Sequence, residues 1–180
     1  MRESRPNVSG KRFAVVAAGW HEDLMSGLIR GASAALEACG VEPSDVEVIR
    51  VPGSFEVAQG ALFAAQSGRF DAVIGLGVLL RGSTLHFDLI ATEAARGIAS
   101  IPAQTGVPAT FGIIAAENVE DARARCGGQA GNRGEEAALA AAEMVLVRNK
   151  LLDSVALNDR GNGENRAESR KHGLRAPTRG

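Results

Sequence analysis

The sequence has 180 residues, enough for one full hydrophobic core and too few for two ordinary domains. Hydrophobic residues make up 45% and charged residues 23%, near the globular average, so the ordered part is expected to fold without a metal or disulfides. A net charge of -1 excludes a general attraction to nucleic acid or acidic lipid.

The first stretch, residues 1–12, is polar and reads as an arm; its opening MRESRPNVSG holds no apolar signal-peptide core. Residues 13–19, FAVVAAG, form a short strand of buried type, and residues 20–23 connect it to a helix. Leu24, Leu28, Ala32, Ala35, Leu36 and Cys39 recur at helical spacing, with Asp23 placed to cap the start and Gly40 to end it. Residues 46–51 read as a second strand stopped by Pro52 and Gly53. Ser54 is placed to cap a helix through Ser67, with Phe55, Ala58, Ala61, Leu62 and Ala65 inward.

Residues 70–87, FDAVIGLGVLLRGSTLHF, organise the rest. From 72 to 80 there is no charge, as in a strand covered on both faces, and a polar loop and a helix of residues 89–100 follow. Residues 107–114 make a fourth strand, followed by Asn118 as a cap, a helix of residues 119–126, a glycine-rich loop at 127–134 and a helix of residues 135–152. Strands alternating with helices imply an α/β domain over residues 13–157, with a four-stranded, mostly parallel sheet and helices on both faces. Residues 158–180 carry six Arg or Lys against three Asp or Glu and almost no large apolar residue, so this tail is expected to be disordered. No stretch is long enough to span a bilayer, and Cys39 and Cys126 lack metal-ligand or redox spacing, so packed thiols in the cytoplasm are expected.

Four clusters fall at the carboxyl ends of the four strands: Trp20 with His21, GSFE at 53–56, RGSTLH at 81–86, and Phe111 with the segment beyond it. In an open parallel sheet that edge is where ligands bind, because strand ends and helix N-termini converge there. A rim collecting aromatic and acidic groups from several strands suits a flat polar ring. Each group also has a structural reading. Trp20 either stacks on a ring or covers the core; Phe55 and Phe111 are pocket wall or core; Glu56 binds a ligand or complements a helix dipole. Ser83 and Thr84 offer hydroxyls and backbone N–H groups to a tetrahedral anion, or serve as caps. His86 either moves protons, as imidazoles do near neutral pH, or is structural. Arg125 and Arg133 frame the glycine-rich loop, where a guanidinium either grips an anion with two N–H groups or stays solvated. GLGVLLRG lacks the glycine spacing of a dinucleotide fingerprint, which excludes a nicotinamide site there.

Four segments, VPGSFEV (51–57), GVLLRGSTLHFD (77–88), PATFGI (108–113) and AGNRGEEAALAAAEM (130–144), together resemble the lumazine synthase (6,7-dimethyl-8-ribityllumazine synthase) family in order and spacing. The resemblance covers residues 13–152 and implies a flavodoxin-like, three-layer α/β/α fold. It implies a reaction that joins 5-amino-6-(D-ribitylamino)uracil to 3,4-dihydroxy-2-butanone 4-phosphate, releasing phosphate and water, without metal or cofactor. Trp20 would stack on the pyrimidine, where the family usually has Phe. Ser54 and Glu56 would bind the ribityl hydroxyls with Phe55 and Val57 beside them, and the backbone of Val78, Leu79 and Leu80 would read the ring edge. Ser83, Thr84 and Arg125 would hold the phosphate, and His86 would shuttle protons. In the family the site straddles neighbouring subunits of a pentamer, and some pentamers close into icosahedral shells. Phe111, Arg125 and Arg133 would then come from the adjacent chain, with no membrane or nucleic-acid partner implied.

Three positions depart from the family pattern: Leu85 for the usual Pro or Thr, Arg133 for Lys, and His21 where Asn is frequent. Three rivals are a flavin carrier without the chemistry, an assembly protein, and a pentameric riboflavin synthase of the same fold. His86 with both arginines speaks against the carrier, and the anion-suited loop against the riboflavin synthase.

Overall fold

A computed structural model describes residues 5–172, with side chains through Leu152. Its elements in chain order are β1 (Phe13–Ala18), α1 (Glu22–Glu37), β2 (Val46–Val51), α2 (Ser54–Gln66), β3 (Ala72–Leu80) and α3 (His86–Thr105). They continue with β4 (Ala109–Ala116), α4 (Val119–Ala124), β5 (Cys126–Gly128), β6 (Gly131–Asn132) and α5 (Arg133–His172). The sheet, its flanking helices and the site described below belong to the unit Met1–Leu146; the other unit, Val147–Gly180, contains the later part of α5. Among the described residues no helix is long and apolar enough to cross a membrane.

β1 and β3, both uncharged, lie at the centre of the sheet, where both faces are covered. β1 is buried along its whole length, and β3 along all but its last two residues. The order is β2-β1-β3-β4 with every pair parallel, the expected four-stranded sheet. Alternate side chains of β1 feed two cores. Phe13, Val15 and Ala17 pack with Leu28 of α1 and Ala138 of α5, whereas Ala14, Val16 and Ala18 pack with Val57 of α2 and Ile98 of α3. The result is the three-layer α/β/α architecture of the flavodoxin-like class. The chain leaves β1 to one side for β2 and returns to the other for β3, so the crevice at their carboxyl ends is a topological switch point.

Several local expectations are corrected. The residue flanking the start of α1 is His21, not Asp23, whose carboxylate instead accepts from Arg123 Nη2 at 2.9 Å. Ser54 does not cap α2; Gly53 takes that position, and the Ser54 hydroxyl lies under the sheet, 3.4 Å from the Val78 carbonyl. Phe55 is exposed and Val57 is buried in its place, while Ala61 and Ala65 are buried and Ala58 and Leu62 pack against the core, as read in the sequence. α3 starts at His86 rather than 89 and passes Ser100, because Ile101 still buries itself on the sheet. It ends at Gly106, in the left-handed conformation, whose N–H donates to the Pro102 carbonyl at 2.9 Å. The Asn118 cap is as expected, its side chain accepting from Asp121 N at 2.8 Å.

The glycine-rich loop is a two-stranded hairpin, β5 with β6, docked on α1. Asn132 holds it there, donating to the Gly27 carbonyl at 2.9 Å and accepting from Gly134 N at 2.8 Å. The arm expected over 1–12 is partly tied to the domain: Val8 is buried, and its N–H donates to the Cys39 carbonyl at 2.9 Å. α5 is helical to His172, past 152 and into the tail read as disordered. Extending a helix that packing has already nucleated costs far less than starting one. Residues 173–180 of that tail lie outside the described residues.

Candidate active site

β1, β2 and β3 run in register, with Ala18 level with Val51 and Ala17 with Leu76, so their carboxyl ends open onto one rim. A cleft of about 580 Å³ lies there. Trp20 and His21 enter it from the end of β1, Gly53 to Glu56 from the start of α2, Val78 to Leu80 from the end of β3, and His86 from α3. Trp20 does not cover the core, being 70% exposed. A Cβ on Gly53 would lie 3.1 Å from Glu56 Oε2 and 3.6 Å from Trp20 Cδ1, so the carboxylate and the indole flank that glycine. An aromatic face beside a hydrogen-bonding carboxylate suits a polar ring with a hydroxylated substituent.

Two glycines of β3 make room for this wall. A Cβ on Gly77 would fall 2.6 Å from Ser54 Oγ, and one on Gly75 would fall 2.7 Å from Ile98 Cδ1. Without side chains there, α2 and α3 can approach the sheet and bring their first turns to the rim.

Between β3 and α3 the chain crosses an exposed loop containing Gly82, Ser83, Thr84 and Leu85. A Cβ on Gly82 would meet nothing within 4 Å, so the loop faces open space. Thr84 Oγ1 accepts from His86 N at 3.4 Å, and the Leu85 carbonyl from Leu89 N at 3.2 Å. Hydroxyls preceding the positive end of a 20-residue helix make a favourable place for an anion. Arg81 anchors the loop: Nη1 and Nη2 each donate to the Asp88 carboxylate at 3.0 Å, and Nε donates to Glu117 Oε1 at 2.8 Å. The Arg81 fork holds the Asp88 carboxyl below its ordinary value, and hydrogen bonds to Asp88 and Glu117 raise Arg81 in turn.

The cleft thus gathers Trp20, Ser54, Phe55, Glu56, Val78, Leu79, Leu80 and His86. Ser83 and Thr84 lie in the loop immediately before His86 rather than in the wall. Val57 does not reach the wall, being fully buried in the core. Phe111 is half-exposed on β4 away from the cleft. Arg125 follows α4, with Nη1 donating to the Asp121 carbonyl at 2.8 Å, and Arg133 pairs with Glu136 on its own helix. None of these four lines the cleft of its own chain.

The sequence reading missed Leu89, Ile90 and Glu93, which complete the α3 wall. They stand three, four and seven positions after His86, one face of a helix, and would have been legible had that helix been started at His86. Cys39 and Cys126 are free thiols that burial pushes up from the ordinary cysteine value.

Residues 10–149 match the family model described as 6,7-dimethyl-8-ribityllumazine synthase. A protein of that name from Xanthomonas oryzae pv. oryzae (strain PXO99A) is 46% identical over 134 residues, 74% of this chain and 87% of the relative. One from Chlorobium phaeobacteroides is 44% identical over 143 residues, 79% and 92% of the two chains. Another from Chlorobaculum parvum is 43% identical over 149 residues, 83% and 96%.

Proposed function

The chain belongs to the 6,7-dimethyl-8-ribityllumazine synthase family, and on that premise we propose that the cleft at the carboxyl ends of β1, β2 and β3 is its active site. The enzyme acts in riboflavin biosynthesis, condensing 5-amino-6-(D-ribitylamino)uracil with 3,4-dihydroxy-2-butanone 4-phosphate and releasing phosphate and water. The observation that carries the site is that Trp20, Glu56 and His86, which follow three different strands, line one cleft.

In this reading Trp20 stacks on the pyrimidine, Glu56 takes ribityl hydroxyls with Phe55 beside it, and the Val78 to Leu80 backbone meets the ring edge. The Ser54 hydroxyl, held under the rim, positions the start of α2 and meets the ribityl chain from beneath. Ser83 and Thr84 hold the phosphate at the start of α3. His86 relays protons as the amine attacks the ketone, phosphate leaves and the second ring closes. Such a relay contributes about 10²- to 10⁴-fold. Holding two substrates in line supplies up to about 7 to 11 kcal/mol in well-oriented systems, so most of the catalysis is positional.

The assembly is a homopentamer with sites between adjacent subunits, and the neighbour supplies Phe111, Arg125 and Arg133. Two facts favour this: these residues stand outside their own cleft, and Phe111, Phe63 and Leu85 are large apolar side chains left exposed. Free thiols, Cys39 buried and Cys126 partly buried, both raised by burial, suit a cytoplasmic enzyme. Mixing the two substrates and following lumazine fluorescence tests the reading; Trp20→Ala is expected to raise KM for the pyrimidine substrate, and absence of product from the wild-type enzyme contradicts it. Light scattering separates a pentamer from a closed shell.

A further inference from the structure

We infer that Arg81 is a positioning residue of the reaction, clasping the anion loop to the first turn of α3 so that His86 is fixed and the Asp88 carboxylate is drawn into an ion pair beside the phosphate position. The inference rests on the roles given above to His86, Ser83 and Thr84. Arg81 is attached at every side of that loop. Its backbone N–H donates to the Ala116 carbonyl at 2.9 Å, and Nε donates to Glu117 at 2.8 Å, so it is tied to the end of β4. Its two terminal nitrogens hold both oxygens of Asp88 at 3.0 Å, and its guanidinium carbon stands 4.2 Å from the centre of the Phe87 ring. Phe87 and Asp88 are the residues directly after His86, so the first turn of α3 cannot rotate without breaking the clasp.

Only Gly82, Ser83, Thr84 and Leu85 separate the guanidinium's own residue from the imidazole's. A short, exposed loop fixed at both ends by one rigid fork presents its hydroxyls and its histidine together. Asp88 stands in the first turn of the helix whose N-terminus would receive a phosphate, and an unpaired carboxylate there would repel it. The guanidinium, shared between Asp88 and Glu117, offsets part of that carboxylate's charge. Exposed ion pairs add little to folding stability, so the clasp is expected to show in kinetics rather than in melting.

The test is steady-state kinetics on the wild-type enzyme, Arg81→Gln, Arg81→Lys, His86→Ala and the double variant Arg81→Gln/His86→Ala. Arg81→Gln should lower kcat by roughly 10- to 100-fold, the range that a small misplacement near reacting groups costs, and raise KM for the phosphate-bearing substrate. KM for the pyrimidine substrate and the melting temperature should stay near wild type, and Arg81→Lys should rescue only part of kcat, because an ammonium cannot make the fork. Added to His86→Ala, Arg81→Gln should lower kcat little further, since it acts through the imidazole. A kcat for Arg81→Gln within about twofold of wild type, or a full additional loss in the double variant, overturns the clasp. So does a parallel change of both KM values with the melting temperature, which marks a merely structural role. Unchanged turnover in His86→Ala, where the clasp is intact, instead defeats the reading of His86 and the clasp with it.

Discussion

Gly77 shows how little room the site has. A methyl group there would stand 2.6 Å from Ser54 Oγ and 3.3 Å from both γ carbons of Ile113, none of which lies at the end of a long flexible side chain. Gly77→Ala is therefore expected to destabilise the fold by about 1 to 3 kcal/mol, as overpacked cores do, and to weaken substrate binding as α2 is pushed outward. Urea unfolding with matched kinetics would check both, and unchanged values would mean the wall is softer than described. His21 carries a different strain. Its φ of 58° lies in the left-handed region that Asn tolerates better, so His21→Asn is expected to stabilise the chain by up to about 1 kcal/mol, read by the same unfolding curves. If His86 relays protons as proposed, His86→Ala should cut turnover by about 10²- to 10⁴-fold without abolishing it. Arg125→Ala should mainly raise KM for the phosphate-bearing substrate. These residue types were legible because chemistry concentrated in short polar runs after apolar strands. The left-handed His21 was not, since a backbone angle leaves no mark in composition.

The clasped loop between β3 and α3 makes a prediction of its own about acidity. Arg81 lowers the Asp88 carboxyl, so the clasp contributes fully above that group's unfolded value, roughly pH 4, and is lost as pH falls through the lower folded value. Protection of the amides of residues 82–88, taken relative to their intrinsic exchange rates at each pH, should fall below roughly pH 4, while Asp88→Asn should show low protection already at neutral pH. Exchange rates in the two proteins that coincide at neutral pH would contradict it. The strands were legible because an uncharged run such as 72–80 has few other fates. Helix starts were less so. His21, Gly53 and Leu85 flank the three site helices with no side-chain cap, so the Asp23 and Ser54 signals misled. The hairpin of β5 and β6 escaped notice because its cause is tertiary: a Cβ on Gly31 would lie 2.3 Å from Asn132 Nδ2, and one on Gly27 would lie 2.4 Å from the Cys126 carbonyl.

For the molecule as a whole, a single chain presents an aromatic and acidic cleft with an imidazole at its edge, but its arginines at 125 and 133 are engaged elsewhere. Sequence motifs singled out these residues, yet whether a guanidinium reaches its own cleft or a neighbour's depends on assembly, about which local pattern is silent. If the neighbour completes the site, a variant that disrupts the ring should fold and lose turnover together with its oligomeric state. The sharpest test mixes two damaged chains, His86→Ala and Arg125→Ala, in equal amounts under co-expression, and assays them at low concentrations of the phosphate-bearing substrate. If imidazole and guanidinium come from different subunits, about one site in four of the mixed rings carries both intact, and turnover should rise toward a quarter of wild type. Turnover that stays at the average of the two separate variants would mean each chain supplies both groups to its own cleft, and would contradict a site shared between neighbours.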